Sequence, residues 1–127
     1  MIDQIANGFY PGIAPIDAYG DGGFRFAGMS HRGSLLALPG GFRAWAVLEA
    51  KVLTIADFAP LIAEKDRIEI VLLGTGAMQV FPTAALRQGF EALGIGLEAM
   101  STGAAARTYN VLLAEGRKVA AALIAAA

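Results

Sequence analysis

Ile68-Glu69-Ile70-Val71-Leu72-Leu73-Gly74-Thr75-Gly76 is the stretch of sequence that decides the fold. From Ile68 to Leu73 every residue except Glu69 is apolar and half are β-branched, which is typical of a strand buried on both faces of an α/β sheet. The run ends in Gly-Thr-Gly, where a backbone can turn tightly and approach another molecule closely. Loops at the carboxyl ends of such strands are common binding places in open α/β sheets. The stretch therefore indicates a fold and the place of a site, but no chemistry.

The bulk composition excludes several classes of protein. The chain has 127 residues, of which 56% are apolar and 17% charged, so we expect one domain with a large core and no global disorder. The net charge is −1 and the Lys and Arg residues are scattered, which disfavours nucleic-acid binding. Because there is no cysteine, disulfides, thiolate metal sites and cysteine nucleophiles are excluded.

The sequence shows no signal for membrane insertion or export. Its amino terminus contains an acid and neither an Arg-rich nor a long apolar run, unlike a signal or transit peptide. The longest uninterrupted apolar run, Val119–Ala127, is too short to span a bilayer. We therefore expect a soluble, cytoplasmic protein that does not span a membrane.

Glycines and prolines divide the first half of the chain into short extended pieces. Residues 1–15 contain Gly8, Pro11, Gly12 and Pro15, which oppose a regular element, so an irregular strap is expected there. Residues 16–127 are expected to form a single α/β domain. The predicted strands are Ile16–Tyr19, Phe24–Ala27, Ser34–Leu38 and Phe42–Val47. Because turns this short join antiparallel neighbours, these strands predict a β-meander.

The second half of the chain has helical periodicity between its strands. Thr54 and Asp57 resemble a capping pair, which predicts a short helix through Glu64. Pro82 and Thr83 open a second helix, whose buried face carries Leu86, Phe90 and Leu93 and which stops at Gly94. Ile95–Met100 is the next predicted strand. Strand, helix and strand make a βαβ unit, in which Ile68–Leu73 and Ile95–Met100 are parallel.

A third helix and a last strand complete the prediction. The helix runs from about Gly103 to Glu115, with Val111 and Leu112 leading its buried face. Lys118–Ile124 is predicted as a strand, although its alanines would suit a helix equally well. The expected fold is a three-layer α/β fold with a mixed central β-sheet flanked by helices, a β-meander being followed by a βαβ unit.

Two loops at the ends of the parallel strands form the candidate binding site. Their backbone N–H groups, together with the positive end of the third helix, suit a small anion. A nearby arginine, about one helical turn beyond the cap, could assist a carboxylate or phosphate. The alternative is that the glycines only close tight turns and that the hydroxyls only cap the helix. The candidate residues are Gly74, Thr75, Gly76, Ser101, Thr102, Gly103 and Arg107.

Other chemistries have little support in the sequence. A dinucleotide site lacks its third glycine, since Gln79 stands there, and Pro82 suggests that the helix starts too late. His31 is predicted in a solvated hairpin turn. No carboxylates cluster at metal spacing, so no metal or cofactor is predicted. Neither loop contains Lys, His, Asp or Glu, which argues against an enzyme because acid–base catalysis needs a titratable group.

The second half of the chain resembles a known family. The similar segments are Leu72–Gly76, Gly94-Ile95, Glu98–Met100, Thr102, Thr108–Leu112 and Glu115–Ala120. The family is that of mitochondrial complex I assembly factor 3 and the adipogenesis-associated domain proteins, with bacterial and archaeal members. The resemblance implies a three-layer α/β fold and, for the mitochondrial branch, a non-catalytic role in assembling NADH:ubiquinone oxidoreductase. Because the chain lacks the presequence of that branch, we expect a bacterial member.

Two functional hypotheses follow from these observations. The first is a non-enzymatic protein that binds other proteins and aids assembly of a respiratory or membrane complex. The second is a binder or enzyme for a small anionic metabolite at the two glycine loops. A deep cleft at the loops would favour the second hypothesis, and a flat apolar patch would favour the first.

Overall fold

The computed structural model describes residues 3–4 and 8–126. The strands are β1 (Asp3–Gln4), β2 (Phe9–Tyr10), β3 (Ile16–Gly20), β4 (Gly23–Phe26), β5 (Met29–Arg32), β6 (Ser34–Leu38), β7 (Gly41–Trp45), β8 (Ile70–Gly74), β9 (Gly96–Met100) and β10 (Val119–Leu123). The α-helices are α1 (Ala59–Ile62), α2 (Ala84–Leu93) and α3 (Thr102–Ala114), and short 3₁₀ helices cover Ala50–Val52, Ile55–Phe58 and Lys65–Arg67.

The central sheet has six strands in the order β2-β7-β6-β10-β8-β9. Strand β8 lies inside this sheet and pairs in parallel with both β9 and β10. Strands β6 and β7 pair antiparallel, and β6 runs antiparallel to β10. The predicted parallel pairing of the Ile68–Leu73 and Ile95–Met100 segments is therefore confirmed, in a mixed sheet.

The central sheet carries one core on each face, because successive side chains of a strand point to opposite sides. In β8, Val71 belongs to one core and Leu72 to the other. Helix α2 packs its buried Leu86 and Phe90 into the first core, and α3 packs Tyr109 into the second. Helices thus cover both faces, which confirms the three-layer α/β class.

The predicted meander is divided between two sheets. Strands β6 and β7 join the central sheet, whereas β3, β4 and β5 form a small sheet with β1 in the order β1-β5-β4-β3. The small sheet covers the same face as α3, and its Phe26 stacks on Phe42 of the central sheet with ring centroids 3.8 Å apart. Apolar patterning predicted β3, β4, β6 and β7 but not β5, and it does not say which sheet each strand joins.

The hairpin turn predicted around His31 was wrong in part, because only Gly33, with φ of 96°, bends the chain into the next strand. Both His31 and Arg32 lie in β5, and the chain reverses two residues before that strand begins. Ala27 and Gly28 make this turn with φ of 51° and 74°, the left-handed pair that a tight hairpin requires. The turn was missed because an alanine seldom adopts a positive φ.

The predicted boundaries of α2 and of the short helix before β8 agree with the structure. The Thr83 hydroxyl accepts a hydrogen bond from the Leu86 N–H at 3.2 Å, and Gly94 ends α2 with φ of 73°. The predicted short helix through Glu64 is a 3₁₀ turn, Ile55–Phe58, that continues into α1. Its start is fixed by the Asp57 carboxylate, which accepts from the Thr54 N–H at 2.8 Å.

The predicted buried face of the third helix was wrong in part. Val111, expected to lead that face, is 57% exposed, and Leu112 is only partly buried. The buried residues of α3 are Thr102, Ala105, Ala106 and Tyr109. Small alanines let the helix lie close to the sheet, and close packing outweighed the larger hydrophobicity of Val111.

The predicted last strand is confirmed as β10, and it lies between β6 and β8. All of its residues are buried, so small side chains suit a strand with layers on both faces. The strap predicted for residues 1–15 falls partly outside the described residues; within them, β1 and β2 pair with β5 and β7. In residues 3–4 and 8–126, no helix has the length and apolarity that crossing a membrane requires.

Replacing Leu72 by alanine should destabilise the fold strongly. Leu72 is 1% exposed and lies in the second core. The lost transfer energy and the cavity should lower the free energy of unfolding by about 2–5 kcal/mol. Val111→Ala, on the exposed side of α3, is the control and should cost less than about 0.5 kcal/mol. Chemical denaturation of both variants measures this, and a loss below about 1 kcal/mol for Leu72→Ala would contradict its place in the core.

Alkaline pH should weaken the fold through Tyr109. Burial raises the pKa of this phenol from 10.0 to about 12. Between these values the folded chain keeps a proton that the unfolded chain has lost, so this contribution to stability is full below pH 10.0 and falls as pH rises through about 12. In Tyr109→Phe the fall should be shallower than in the wild type. Denaturation midpoints measured across that pH range test this, and parallel curves would contradict it.

Candidate functional site

The two predicted loops lie side by side at one end of the central sheet. We call this the carboxyl end, because β8, β9 and β10 all finish there. Gly74, the last residue of β8, is the register partner of Met100, the last residue of β9. The two strands are followed by α2 and α3, which cover opposite faces of the sheet. Such a topological switch point is where open α/β sheets usually bind ligands or partners.

The buried Thr102 side chain fastens the two loops together. Its backbone N–H donates to the Gly76 carbonyl at 2.8 Å, and its hydroxyl oxygen accepts from the Gly76 N–H at 2.9 Å. The same hydroxyl donates to the Ile124 carbonyl at 2.6 Å. Because Thr102 is 0% exposed, these bonds have no competition from water and hold the ends of β8 and β10 against the start of α3.

Thr75 fixes the loop that follows β8. Its N–H donates to the Met100 carbonyl at 2.9 Å, which continues the β8–β9 pairing by one residue. Its hydroxyl donates to the Met78 carbonyl at 2.6 Å and accepts from the Val80 N–H at 3.0 Å. The side chain therefore sets the conformation of residues 76–80, in the way that a short polar side chain stabilises a turn.

The remaining loop residues shape the start of α3. Ser101 is the N-cap, and its hydroxyl accepts from the Ala104 N–H at 3.4 Å. A Cβ on Gly103 would lie 2.6 Å from the Tyr19 hydroxyl, and one on Gly74 would lie 2.9 Å from the Cα of Thr102. Both glycines are thus required by close approach of another part of the chain.

Arg107 lies beside the small sheet. Its guanidinium donates a hydrogen bond to the Tyr19 hydroxyl and lies 6.0 Å from the centre of that ring. Within the described part of the chain, ion pairs join only Lys65 to Asp66 and Arg67 to Glu64, so Arg107 is held by a tyrosine and not by a carboxylate.

The structure brings the loop residues together but uses most of their donors internally. The N–H groups of Thr75, Gly76, Thr102 and Ala104 all donate within the protein. Anion binding at Gly74–Gly76, Ser101–Gly103 and Arg107 stays a prediction. Two surface grooves, of about 440 and 460 Å³, lie elsewhere and include none of these residues in their walls.

Sequence reasoning missed four exposed apolar residues that follow strands of the central sheet. Met78 and Phe81, which follow β8, are each 76% exposed. Leu48 and Val52, which follow β7, are 77% and 69% exposed. The available signal was the presence of large apolar residues between the predicted strands and helices, where polar residues are usual.

The titratable groups of the described residues do not form a metal-binding cluster. No group of three or more His, Asp or Glu residues in residues 3–4 and 8–126 could hold a metal ion. His31, predicted in a solvated turn, lies in β5, where its Nε2–H donates to the Ser34 carbonyl at 2.9 Å. Its role in the fold is therefore to hold β5 against the start of β6.

Fold and site together define the class: a small three-layer α/β protein with a fastened pair of loops and exposed apolar side chains at the carboxyl end of a mixed sheet. The sequence pattern of the family described as "Protein of unknown function (DUF498/DUF598)" matches residues 16–124. The chain belongs to this family.

Relatives of the chain include both bacterial and mitochondrial proteins. An uncharacterized protein of Rhodobacter capsulatus is 43% identical over 91% of this chain and 87% of its own length. The human NADH dehydrogenase [ubiquinone] 1 alpha subcomplex assembly factor 3 is 34% identical over 86% of this chain and 59% of its own length. The chain thus spans about three fifths of the assembly factor that it matches, and the predicted family resemblance is confirmed.

A solved structure supports the fold in detail. The crystal structure of an outer membrane protein from Bartonella henselae is 48% identical to this chain and superposes with a TM-score of 0.88. The match covers 93% of this chain and 99% of that one. The described architecture is therefore shared by a crystallised relative along nearly its whole length.

Thr102→Val should destabilise the fold without changing its shape. The valine keeps the volume but removes the hydroxyl partner of the partly buried Gly76 N–H and of the carbonyl of the buried Ile124. An unpaired buried group costs about 1–3 kcal/mol, so most of the loss should come from the Ile124 carbonyl. Thr108→Val is the control, because the Thr108 hydroxyl is only partly buried and reaches neither β10 nor the loop after β8: it contacts the Ala104 carbonyl at 2.8 Å and the Met100 sulfur at 3.6 Å. Chemical denaturation compares the two, and equal losses would contradict the fastening role of Thr102.

Proposed function

We propose that this chain is a non-catalytic, protein-binding factor that acts in the bacterial cytoplasm and aids assembly of a respiratory or membrane complex. The observation that carries this proposal is the rigidly held apolar loop at the carboxyl end, with Met78 and Phe81 exposed. The similarity to NADH dehydrogenase assembly factor 3 supports an assembly role.

The loop that carries Met78 is preorganised for binding. The Thr75 hydroxyl holds the Met78 carbonyl and the Val80 N–H, and the Gln79 amide donates to the Ala99 carbonyl at 2.8 Å. A loop that is already ordered loses little conformational entropy when it docks. Methionine and aromatic side chains are also enriched at the centres of protein interfaces. Fixed backbone and exposed apolar side chains together favour a protein partner.

A second apolar loop lies at the same end of the sheet. Because β6 is antiparallel to β10 and β7 is antiparallel to β6, β7 also finishes at the carboxyl end. The segment after β7 contains the exposed Leu48 and Val52, which line an apolar groove of about 460 Å³. Exposed apolar groups gathered at one end of a small protein commonly mark an interaction site.

The predicted site residues have a supporting role in this proposal. The apolar loop is held in place by Gly74–Gly76 and Ser101–Gly103. Arg107 supplies a positive charge at the edge of the proposed binding surface. Binding of a small anion is the weaker alternative, because the Gly76 and Ala104 N–H groups already donate to Thr102 and Ser101. The positive end of α3 at Ser101 is its main remaining support.

Removing the exposed apolar side chains should abolish partner binding. A tagged chain and the double variant Met78→Ser/Phe81→Ser would be used to capture proteins from the native host for quantitative mass spectrometry. We expect subunits or assembly intermediates of a membrane complex with the wild type, and at least about tenfold less with the double variant, equivalent to about 1.4 kcal/mol of binding.

Ile13→Ser is the matched control for this experiment. Ile13 is 58% exposed, and it follows Gly12, which lies against Gly41 at the opposite end of the sheet. The control should capture the same proteins as the wild type, and all three chains should unfold at similar temperatures. Equal capture by the double variant and the wild type would contradict the proposal, as would the absence of any membrane-complex component.

A further inference from the structure

Strand β9 leaves one side of the central sheet open. It pairs with β8 on one side, and no strand of the described residues pairs with it on the other. The Gly96 N–H donates to the Glu69 carbonyl, and the Met100 carbonyl accepts from the Thr75 N–H, both at 2.9 Å, so Gly96 and Met100 point toward β8. Because direction alternates along a strand, Leu97 and Ala99 point their N–H and C=O groups outward.

One of these outward groups already accepts a hydrogen bond from an amide. The Gln79 side chain donates from Nε2 to the Ala99 carbonyl at 2.8 Å. This amide takes the place of a backbone N–H from a neighbouring strand, so an added strand must displace Gln79 to pair with the Ala99 carbonyl. Three more backbone groups face the same side: the N–H and C=O of Leu97 and the N–H of Ala99. Their spacing matches that of the backbone groups of an extended strand, which could form hydrogen bonds with all three.

The side chains around this open side favour a particular partner. Glu98 is exposed, and its backbone N–H and C=O point toward β8. Opposite an antiparallel strand it would therefore form a non-hydrogen-bonded pair, in which the two side chains lie closest. The Thr108 hydroxyl lies 3.6 Å from the Met100 sulfur, which places this side of α3 along β9. Val111 lies one helical turn after Thr108 on α3 and is 57% exposed. It therefore offers apolar surface to a neighbouring residue of an added strand.

We propose that β9 binds an extended segment of a different protein, which adds a seventh strand to the sheet and carries a basic residue opposite Glu98. A second copy of this chain fits poorly. The antiparallel register that uses Leu97 and Ala99 of both copies sets Glu98 against Glu98, and like charges directly opposite each other destabilise a strand pair. A lysine or arginine in that position would instead form a favourable cross-strand pair.

This inference goes beyond the proposed function and does not depend on it. The assembly proposal is tested at Met78 and Phe81, whereas strand addition is measured at Leu97 and Ala99. The two proposals share one bond, from Gln79 to the Ala99 carbonyl, which strand addition would displace. Because each is measured at its own residues, failure of one can still be told from failure of the other.

The test uses two synthetic peptides that differ only at their central residue. They are acetyl-Thr-Val-Thr-Lys-Thr-Val-Thr-amide and the same peptide with glutamate in place of lysine, titrated into the ¹⁵N-labelled full chain. We expect the lysine peptide to shift the amide signals of Leu97 and Ala99, slow their hydrogen exchange and bind roughly two- to tenfold more tightly than the glutamate peptide. In Glu98→Lys the order of the two peptides should reverse.

Glu91→Lys, which makes the same change at an exposed position on α2, is the matched control and should leave the order unchanged. Three results would overturn the proposal: no change at Leu97 and Ala99 with either peptide, an order that Glu98→Lys does not alter, or reversal in the Glu91→Lys control as well. Concentration-dependent shifts at these two amides without peptide would assign the strand to a second copy and would also overturn it.

Discussion

The Thr102 hydroxyl holds together three parts of the chain that are far apart in sequence. It accepts from the loop after β8, donates to the residue after β10 and lies in the first turn of α3. A hydroxyl is one of the few side-chain groups that can donate and accept within so small a space. Gly74 makes this possible, because a side chain there would collide with Thr102. The geometry of the carboxyl end therefore depends on one buried oxygen atom.

The parts of the fold that could be predicted were those set by local sequence. Ile70, Val71 and Leu72 indicate a buried strand by their own bulk and branching, and Thr83 and Gly94 mark the ends of α2 by local backbone chemistry. The division of the meander into two sheets depends on long-range contacts such as Phe26 on Phe42, which periodicity does not contain. The exposed side of α3 was misassigned because hydrophobicity does not measure how closely a helix must approach a sheet.

The position of the candidate site could be predicted from the sequence, but its hydrogen bonds could not. Adjacent parallel strands must end at the same side of a sheet, so the meeting of Gly74–Gly76 with Ser101–Gly103 could be predicted from the βαβ pattern. Which of their donors stay available depends on side-chain directions, and Thr75 and Thr102 both turn inward. The large side chains that remain exposed beside the first loop are apolar, namely Met78 and Phe81.

The position of β10 has a consequence for how the protein is made. It joins β6 to β8 in space, yet the ribosome synthesises it after both, so the two halves of the central sheet cannot be connected until residues 119–123 have emerged. Until then the facing sides of β6 and β8 have unpaired backbone groups and exposed apolar side chains, which are the features that recruit chaperones or cause aggregation. Closure also requires pairing across long sequence separations, such as Leu35 with Leu123. The central sheet is therefore completed only by the last of its strands in sequence order.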